Sequence, residues 1–263
     1  MTWIYAIPVW WMMILCIIVA CGLACAALAF SRSRLMNNDR ITHNDVASAI
    51  LTTMGTLLAV IVAFLVIGVW QQWDQATQTV QEEAGAASDV AHLAMSLPQP
   101  WRYRLVAGVQ NYLNIVITEE FPDMRTGGES LRAHHAAQRL QALVASFVPK
   151  TIAESNLQSK ELDYTGKLLD ARRLRILANV TGIPMILWAV VLFAGFLVVI
   201  FSFYFRVDRP LAQYVMVIML TAIIASIYVL IAELDYPFRG DIGIQPNALQ
   251  HVVQIIHDDT QTR

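Results

Sequence analysis

Four long runs of apolar residues dominate this 263-residue sequence. Residues 3–30, 47–70 and 182–232 carry almost no ionisable side chains, and only the short segment 206–209 interrupts the last stretch. An α-helix of about 20 apolar residues is long enough to cross the hydrocarbon core of a bilayer. The runs therefore predict four transmembrane helices, at about 3–30, 47–70, 183–205 and 211–232.

The remaining sequence has an ordinary soluble composition. The whole chain is 14% charged, whereas a typical soluble domain is about 25% charged. Residues 71–181 alone hold 11 of the 18 Lys and Arg residues and 12 of the 20 Asp and Glu residues. This near-neutral balance gives no sign of a nucleic-acid surface. We therefore expect an all-α integral membrane protein with a soluble helical bundle inserted between the second and third spans.

Prolines and glycines divide the insertion into helices. No proline lies between residues 70 and 97, so the second span is expected to continue as one helix over about 46–97. Pro98 and Pro100 end it, Gly127-Gly128 ends the next helix, and Pro149 ends the third. The predicted organisation is a first transmembrane pair at 1–70, a soluble bundle at 71–181, a second pair at 182–235 and a tail at 236–263.

The tail has one apolar face. Leu249, Val252, Val253 and Ile256 recur at helical spacing. Such a pattern is typical of a short amphipathic helix that lies at a membrane interface. We therefore expect 236–263 to be an interfacial tail.

The second span carries a stripe of small or weakly polar residues on one helical face. Tight packing against another helix is the more common use of such a face. A pore also needs small or hydroxylated groups that tolerate water, so the stripe is also a candidate pore lining. The candidate pore-lining residues are Ser48, Thr52, Thr56, Ala59 and Ala63.

Acidic and basic residues gather near the predicted span ends on the insertion side. Repeated around an oligomer axis, the carboxylates would concentrate cations, but pairing with arginines explains both charges at once and is favoured. At least one of Arg172, Arg173 and Arg175 is then expected within ion-pair distance of a carboxylate. The candidate ion-binding or ion-pair cluster is Glu83, Glu119, Glu120, Arg172, Arg173 and Asp235.

Catalytic and metal-binding patterns do not emerge. His134 and His135 are adjacent and so point to different faces of a helix. The sequence has no phosphate-binding loop, zinc-ligand spacing or dinucleotide-binding glycine pattern. We therefore predict that the protein has no catalytic residue, metal or cofactor and is not an enzyme.

Several short motifs resemble the bestrophin-like family of four-span membrane proteins. They include His43-Asn44-Asp45 before the second span, Glu82-Glu83-Ala84 after it, and Tyr112 followed by Glu119-Glu120. The most specific stretch is 234–240, with the sequence LDYPFRG. Phe121 departs from the family pattern, which has Trp after the acidic pair, and Asn247 stands where an aromatic is usual.

The resemblance implies a distant relation to bestrophins, which are pentameric anion channels with a pore lined by the second span. The leading hypothesis is a homo-oligomeric ion channel lined by that span, with the lipid bilayer, further copies of the chain and inorganic ions as partners. The alternative is a non-conducting sensor or scaffold whose helical domain binds a partner. The expected location is a bacterial inner (plasma) membrane. Basic residues are balanced between the two sides, so the side of the soluble domain stays open.

Overall fold

Helices make up the fold. The computed structural model describes residues 9–35, 44–205, 209–240 and 242–261, and His43 of the first motif lies outside them. Within these ranges the chain forms helices and turns, with no β-strand. Four helical stretches are long and apolar enough to cross a membrane, which confirms an all-α integral membrane protein. They are Val9–Ser33, Asp45–Ala94, Ile152–Ser202 and Pro210–Leu234.

The chain divides into two compact units, and the first contains the apolar helices. Helix α1 (Val9–Leu35) packs along α8 (Pro210–Leu234) through Ala24, Leu28 and Val217. Large apolar side chains elsewhere on these helices are exposed, as a lipid-facing surface requires.

Helix α7 (Met185–Ser202) is also a neighbour of α8, as their short connection predicts. The Tyr228 hydroxyl donates a hydrogen bond to the carbonyl of Val191 at 2.6 Å. A Cβ atom built at Gly195 would lie only 3.2 Å from the ring carbon Cε2 of Tyr228. The glycine therefore permits the close approach of the two helices.

Helix α2 (Asn44–Ala94) is a single helix of 51 residues. It confirms the predicted continuous helix over 46–97, although it ends three residues earlier than expected. Pro98 accounts for the end, because a proline disfavours helical geometry in the residue before it. A turn follows, in which Leu97 N–H bonds to the Ala94 carbonyl at 3.1 Å.

The second unit comprises Gln72–Thr181 and Tyr236–Arg263. The side chains of Ser130 and Thr151 cap two of its helices by accepting hydrogen bonds from Ala133 N–H and Glu154 N–H. A continuous apolar core joins the C-terminal part of α2 to the other helices of this unit. These are α3 (Trp101–Ile115), α4 (Phe121–Met124), α5 (Leu131–Ala145), α6 (Ile152–Val180) and α9 (Asn247–Gln261), with a π-helical turn, Val116–Glu120, between α3 and α4.

The C-terminal helix differs from the expected interfacial tail. Helix α9 packs against α3, and Leu249, Val252 and Ile256 are buried in the core of the second unit. The predicted apolar face is therefore present, but protein covers most of it. A face that is already buried in a protein core is not available to a membrane surface.

Candidate functional site

The small-residue stripe of α2 lies on an open face of the chain. Ser48, Thr52, Thr56, Ala59 and Ala63 are all exposed in the single chain. The buried side of the same helix instead presents Leu58, Val62 and Val69. Within the part of the chain that the structure describes, the stripe is therefore not used for helix packing.

The hydroxyl groups of the stripe bond to their own helix. Thr52 donates to the Ser48 carbonyl and Thr56 to the Thr52 carbonyl, both at 2.8 Å. These bonds use the hydroxyl hydrogens, while the oxygen lone pairs stay open to water or a cation. The side chains on this face are small and weakly polar, which are properties that the water-exposed lining of a pore needs.

Helix α2 carries no lysine or arginine along its length. In the part of α2 that belongs to the second unit, Asp74, Glu82 and Asp89 are exposed, and no salt bridge of theirs appears among the described residues. Asp74 accepts a hydrogen bond from Gln78 at 2.8 Å. The exposed side of the helix is therefore acidic, without a lysine or arginine on the helix to offset it.

The second feature is a buried ion-pair network in the second unit. Arg175, from α6, is fully buried and donates through Nε to Glu83 Oε2 at 2.5 Å and through Nη2 to Glu83 Oε1 at 3.0 Å. Nη2 also donates to Glu120 Oε2 at 2.6 Å. The guanidinium group lies over the Phe121 ring at 5.1 Å from its centroid. One arginine thus joins α2, α6 and the end of the π-helical turn.

Arg172 completes the network one turn away on α6. Its Nη2 donates to Glu120 Oε1 at 2.5 Å and its Nε to Glu120 Oε2 at 3.3 Å. The network thus contains two carboxylates, from Glu83 and Glu120, and two guanidinium groups, from Arg172 and Arg175. Burial alone lowers the pKa of Arg175, but the adjacent carboxylates more than offset this effect and hold its pKa above the usual value. The arginine therefore stays charged.

Tyr112 supplies a further hydrogen bond to the network. It is fully buried on α3, and its hydroxyl donates to Glu83 Oε1. Burial and the neighbouring Glu83 carboxylate raise the pKa of Tyr112 well above its ordinary value. The phenol therefore stays protonated and remains a donor.

Replacing Tyr112 with phenylalanine should destabilise the protein by roughly 1–3 kcal/mol, because a buried carboxylate loses a hydrogen-bond donor. Chemical unfolding of the full-length protein in detergent micelles measures the effect. Tyr103→Phe is the matched control, since Tyr103 is 72% exposed on the same helix. The role assigned to the Tyr112 hydroxyl is wrong if the two variants unfold alike.

The other predicted cluster residues lie elsewhere. Glu119 pairs with the exposed Arg132 at 2.5 Å, and Arg173 pairs with Asp170 at 2.9 Å on the surface of α6. Asp235 is in the first unit, where Oδ1 accepts from Ile183 N–H at 2.6 Å. Asp235 also accepts from the Trp188 indole N–H at 3.1 Å, so it ties the start of α7 to the end of α8.

The structure thus brings Glu83, Glu120 and Arg172 together around Arg175. This confirms the prediction that at least one of the three arginines lies within ion-pair distance of a carboxylate. Sequence reasoning missed Tyr112 as a partner of the network. The available signal was a tyrosine on the apolar face of α3, because a buried tyrosine hydroxyl usually needs a partner. The network is fully paired, so it can stabilise a fold but offers no free charge to an ion.

Metal chemistry gains no support from the part of the chain that the structure describes. Within those ranges, no group of three or more His, Cys, Asp or Glu side chains is arranged to hold a metal ion. The described features therefore define a class: a helical integral membrane protein with an open, small-residue face on α2 and a second helical unit that contains a buried, charge-balanced ion-pair network.

Comparison with known proteins gives the family. The family model of the Bestrophin-like domain matches residues 16–249, so the chain belongs to the bestrophin-like family. No curated protein matches it.

Solved structures share the fold. A crystal structure of a bacterial bestrophin homologue from Klebsiella pneumoniae, phased by zinc anomalous scattering, matches with a TM-score of 0.70 at 13% identity, over 94% of this chain and 98% of that one. A leucine-to-threonine variant of the Klebsiella pneumoniae homologue gives the same values. A membrane protein with a glycine-to-alanine substitution matches with a TM-score of 0.72 at 12% identity, over 95% and 98%.

Proposed function

We propose that this protein assembles into a homo-oligomeric ion channel whose path is lined by helix α2, in a bacterial inner membrane. The observation that carries the proposal is the open face of α2. Five small residues, Ser48 to Ala63, lie on it at helical spacing, and no other helix among the described residues covers them. Membership of the bestrophin-like family supports the same function, because the resemblance to bestrophins implies a channel lined by the second span.

The open face favours a water-filled path over packing within the chain. Small side chains let a helix approach another closely, but only where a second helix is present. Within the chain, α2 buries Leu58, Val62 and Val69 instead. In an oligomer, the stripe either meets another copy or surrounds a common axis, and both require self-association.

The charge on α2 favours cations. Asp74, Glu82 and Asp89 are exposed along the soluble part of a helix that has no lysine or arginine. Repeated around an axis, they form rings of negative charge that raise the local concentration of cations. The resemblance to bestrophins instead implies anion conduction, so ion charge is the property on which this chain departs from that family's expectation.

Planar-bilayer recording of the purified protein tests the proposal. The expected result is unitary current, with a reversal potential in a KCl gradient that lies toward the potassium equilibrium potential. Purified oligomers that conduct nothing would favour the sensor or scaffold function. A protein that remains monomeric in several detergents would contradict assembly.

Replacing Ala63 with aspartate should increase the ratio of cation to anion permeability, because it places a further ring of charge in the path. The measurement is the shift of the reversal potential in the same gradient. Ile61→Asp is the matched control, since Ile61 is exposed but lies about 200° around the helix from Ala63. An assembled Ala63→Asp protein with unchanged selectivity would show that α2 does not line the path.

A further inference from the structure

Helix α6 holds a carboxyl group in the bundle core that the ion-pair network does not use. Glu161 is 1% exposed, and neither of its carboxyl oxygens has a hydrogen-bond partner among the described residues. One helical turn further, Thr165 is fully buried, and its hydroxyl oxygen also lacks a partner there. Burying an ionised carboxylate without a partner costs several kcal/mol, so these groups need a physical explanation.

Among the described residues, no salt bridge joins Glu161 to a cation. Arg172 and Arg175 are engaged with Glu83 and Glu120, and they follow Glu161 by roughly 16 and 21 Å along α6, at about 1.5 Å per residue. The other ionisable groups of α6 are at least partly exposed. The ionisable groups of α2, α3 and α5, apart from the network and Tyr112, are exposed. They are Asp45, Asp74, Glu82, Asp89, His92, Arg102, Tyr103, Arg104, Arg132, His134, His135 and Arg139.

The neutral acid explains the burial. Burial alone raises the pKa of Glu161 to about 8, with no contribution from a neighbouring charge. A protonated carboxyl group is uncharged and has one donor as well as an acceptor. The two Glu161 oxygens and the Thr165 hydroxyl present three polar atoms, which is about the number that a buried water molecule bonds.

We propose that Glu161 is a proton-binding site of the soluble unit, which holds a proton while α6 is packed and, on losing it, opens α6 locally to water. An ionised carboxylate in this position gains hydration only if the helix moves. Gly166 lowers the free-energy cost of that movement, because a glycine weakens the interior of a helix. Packing does not require a glycine here, since no atom lies within 4 Å of the position of a Cβ. The inference does not depend on conduction.

The direction of the pH effect follows from the two forms of the site. In the open form the carboxyl group has its ordinary pKa of 4.5, whereas in the packed form its pKa is about 8. Between these values the packed form holds one more proton than the open form. The equilibrium constant for opening therefore rises by up to about tenfold per pH unit through this window and levels off above it.

Infrared spectroscopy of the full-length protein in detergent micelles tests the protonation directly. At about pH 6 the wild-type protein should show the carbonyl band of a protonated carboxylic acid, which titrates away near the pKa. Glu161→Gln should remove the band, and Asp163→Asn, an exposed change on the same helix, should keep it. A wild-type protein without the band, or a Glu161→Gln protein that retains all of it, overturns the proposal. The wild-type titration requires no variant to fold.

Hydrogen–deuterium exchange tests the opening. Exchange rates of α6 amides in the wild-type protein are divided by those of Glu161→Gln at the same pH, which cancels the chemical pH dependence. The ratio should rise by up to about tenfold per pH unit until about pH 8 and then stay constant. A ratio that does not change with pH shows that Glu161 does not control opening.

Discussion

Replacing Arg175 with methionine should lower the free energy of unfolding by about 3–5 kcal/mol, because it leaves Glu83 without its principal cation in a fully buried place. Glu120 keeps Arg172, so the loss falls mainly on Glu83. The measurement is chemical unfolding of the full-length protein in detergent micelles. Arg173→Met is the matched control, because Arg173 pairs only with Asp170 and its side chain is 77% exposed. The control should change stability by no more than about 0.5 kcal/mol.

Two further outcomes distinguish lost charge compensation from lost packing. Combining Arg175→Met with Glu83→Gln should recover part of the stability, because the uncompensated charge is then absent. The deficit of the single variant should also shrink as pH falls, since a buried carboxylate without a cation binds a proton more readily in the folded state than in the unfolded chain. A deficit that is independent of pH and of Glu83 would contradict the assigned role of the ion pair.

Replacing Ala63 with phenylalanine should nearly abolish conduction. A bulky apolar ring at a narrow point excludes water and raises the barrier to ion passage. A barrier raised by only about 3 kcal/mol lowers the rate of passage roughly a hundredfold. Single-channel recording measures the effect, and size-exclusion chromatography checks that the variant still assembles.

Ile61→Phe provides the control, because it adds a ring to the same helix about 200° away from Ala63. It should leave conductance within a small factor of the wild-type value. Equal block by the two variants would indicate a general disturbance of α2. Normal conductance in Ala63→Phe would show that α2 does not line the path.

The long helices could be predicted because their causes are local. Apolar composition defines the spans, and the lack of a proline before Pro98 defines the uninterrupted α2. Buried charges are generally paired, so it was predictable that an arginine would contact a carboxylate, as Arg172 contacts Glu120. None of these inferences requires knowledge of which helices are neighbours.

The choice among neighbouring residues could not be predicted in the same way. Glu119 and Glu120 are adjacent, and helical spacing alone does not decide which one faces inward. The π-helical turn decides it, placing Glu120 in the core and Glu119 beside Arg132. Helix α9 shows the same limit, because its amphipathic pattern reveals an apolar face but not that α3 covers it.

The π-helical turn gives this part of the fold one residue more than an ordinary α-helix needs. Phe121 N–H bonds to the carbonyl of Val116, five residues back, instead of the usual four. The loop of backbone thus accommodates the equivalent of one inserted residue. Deleting Thr118 would leave Phe121 four residues after Val116, so α3 could run into α4 as an ordinary α-helix with Glu120 still on the side that Arg172 and Arg175 occupy. A one-codon deletion at the exposed Thr118 should therefore be far less damaging than a one-codon deletion in α6 ahead of Arg172, which would turn the residues after it by about 100° around the axis.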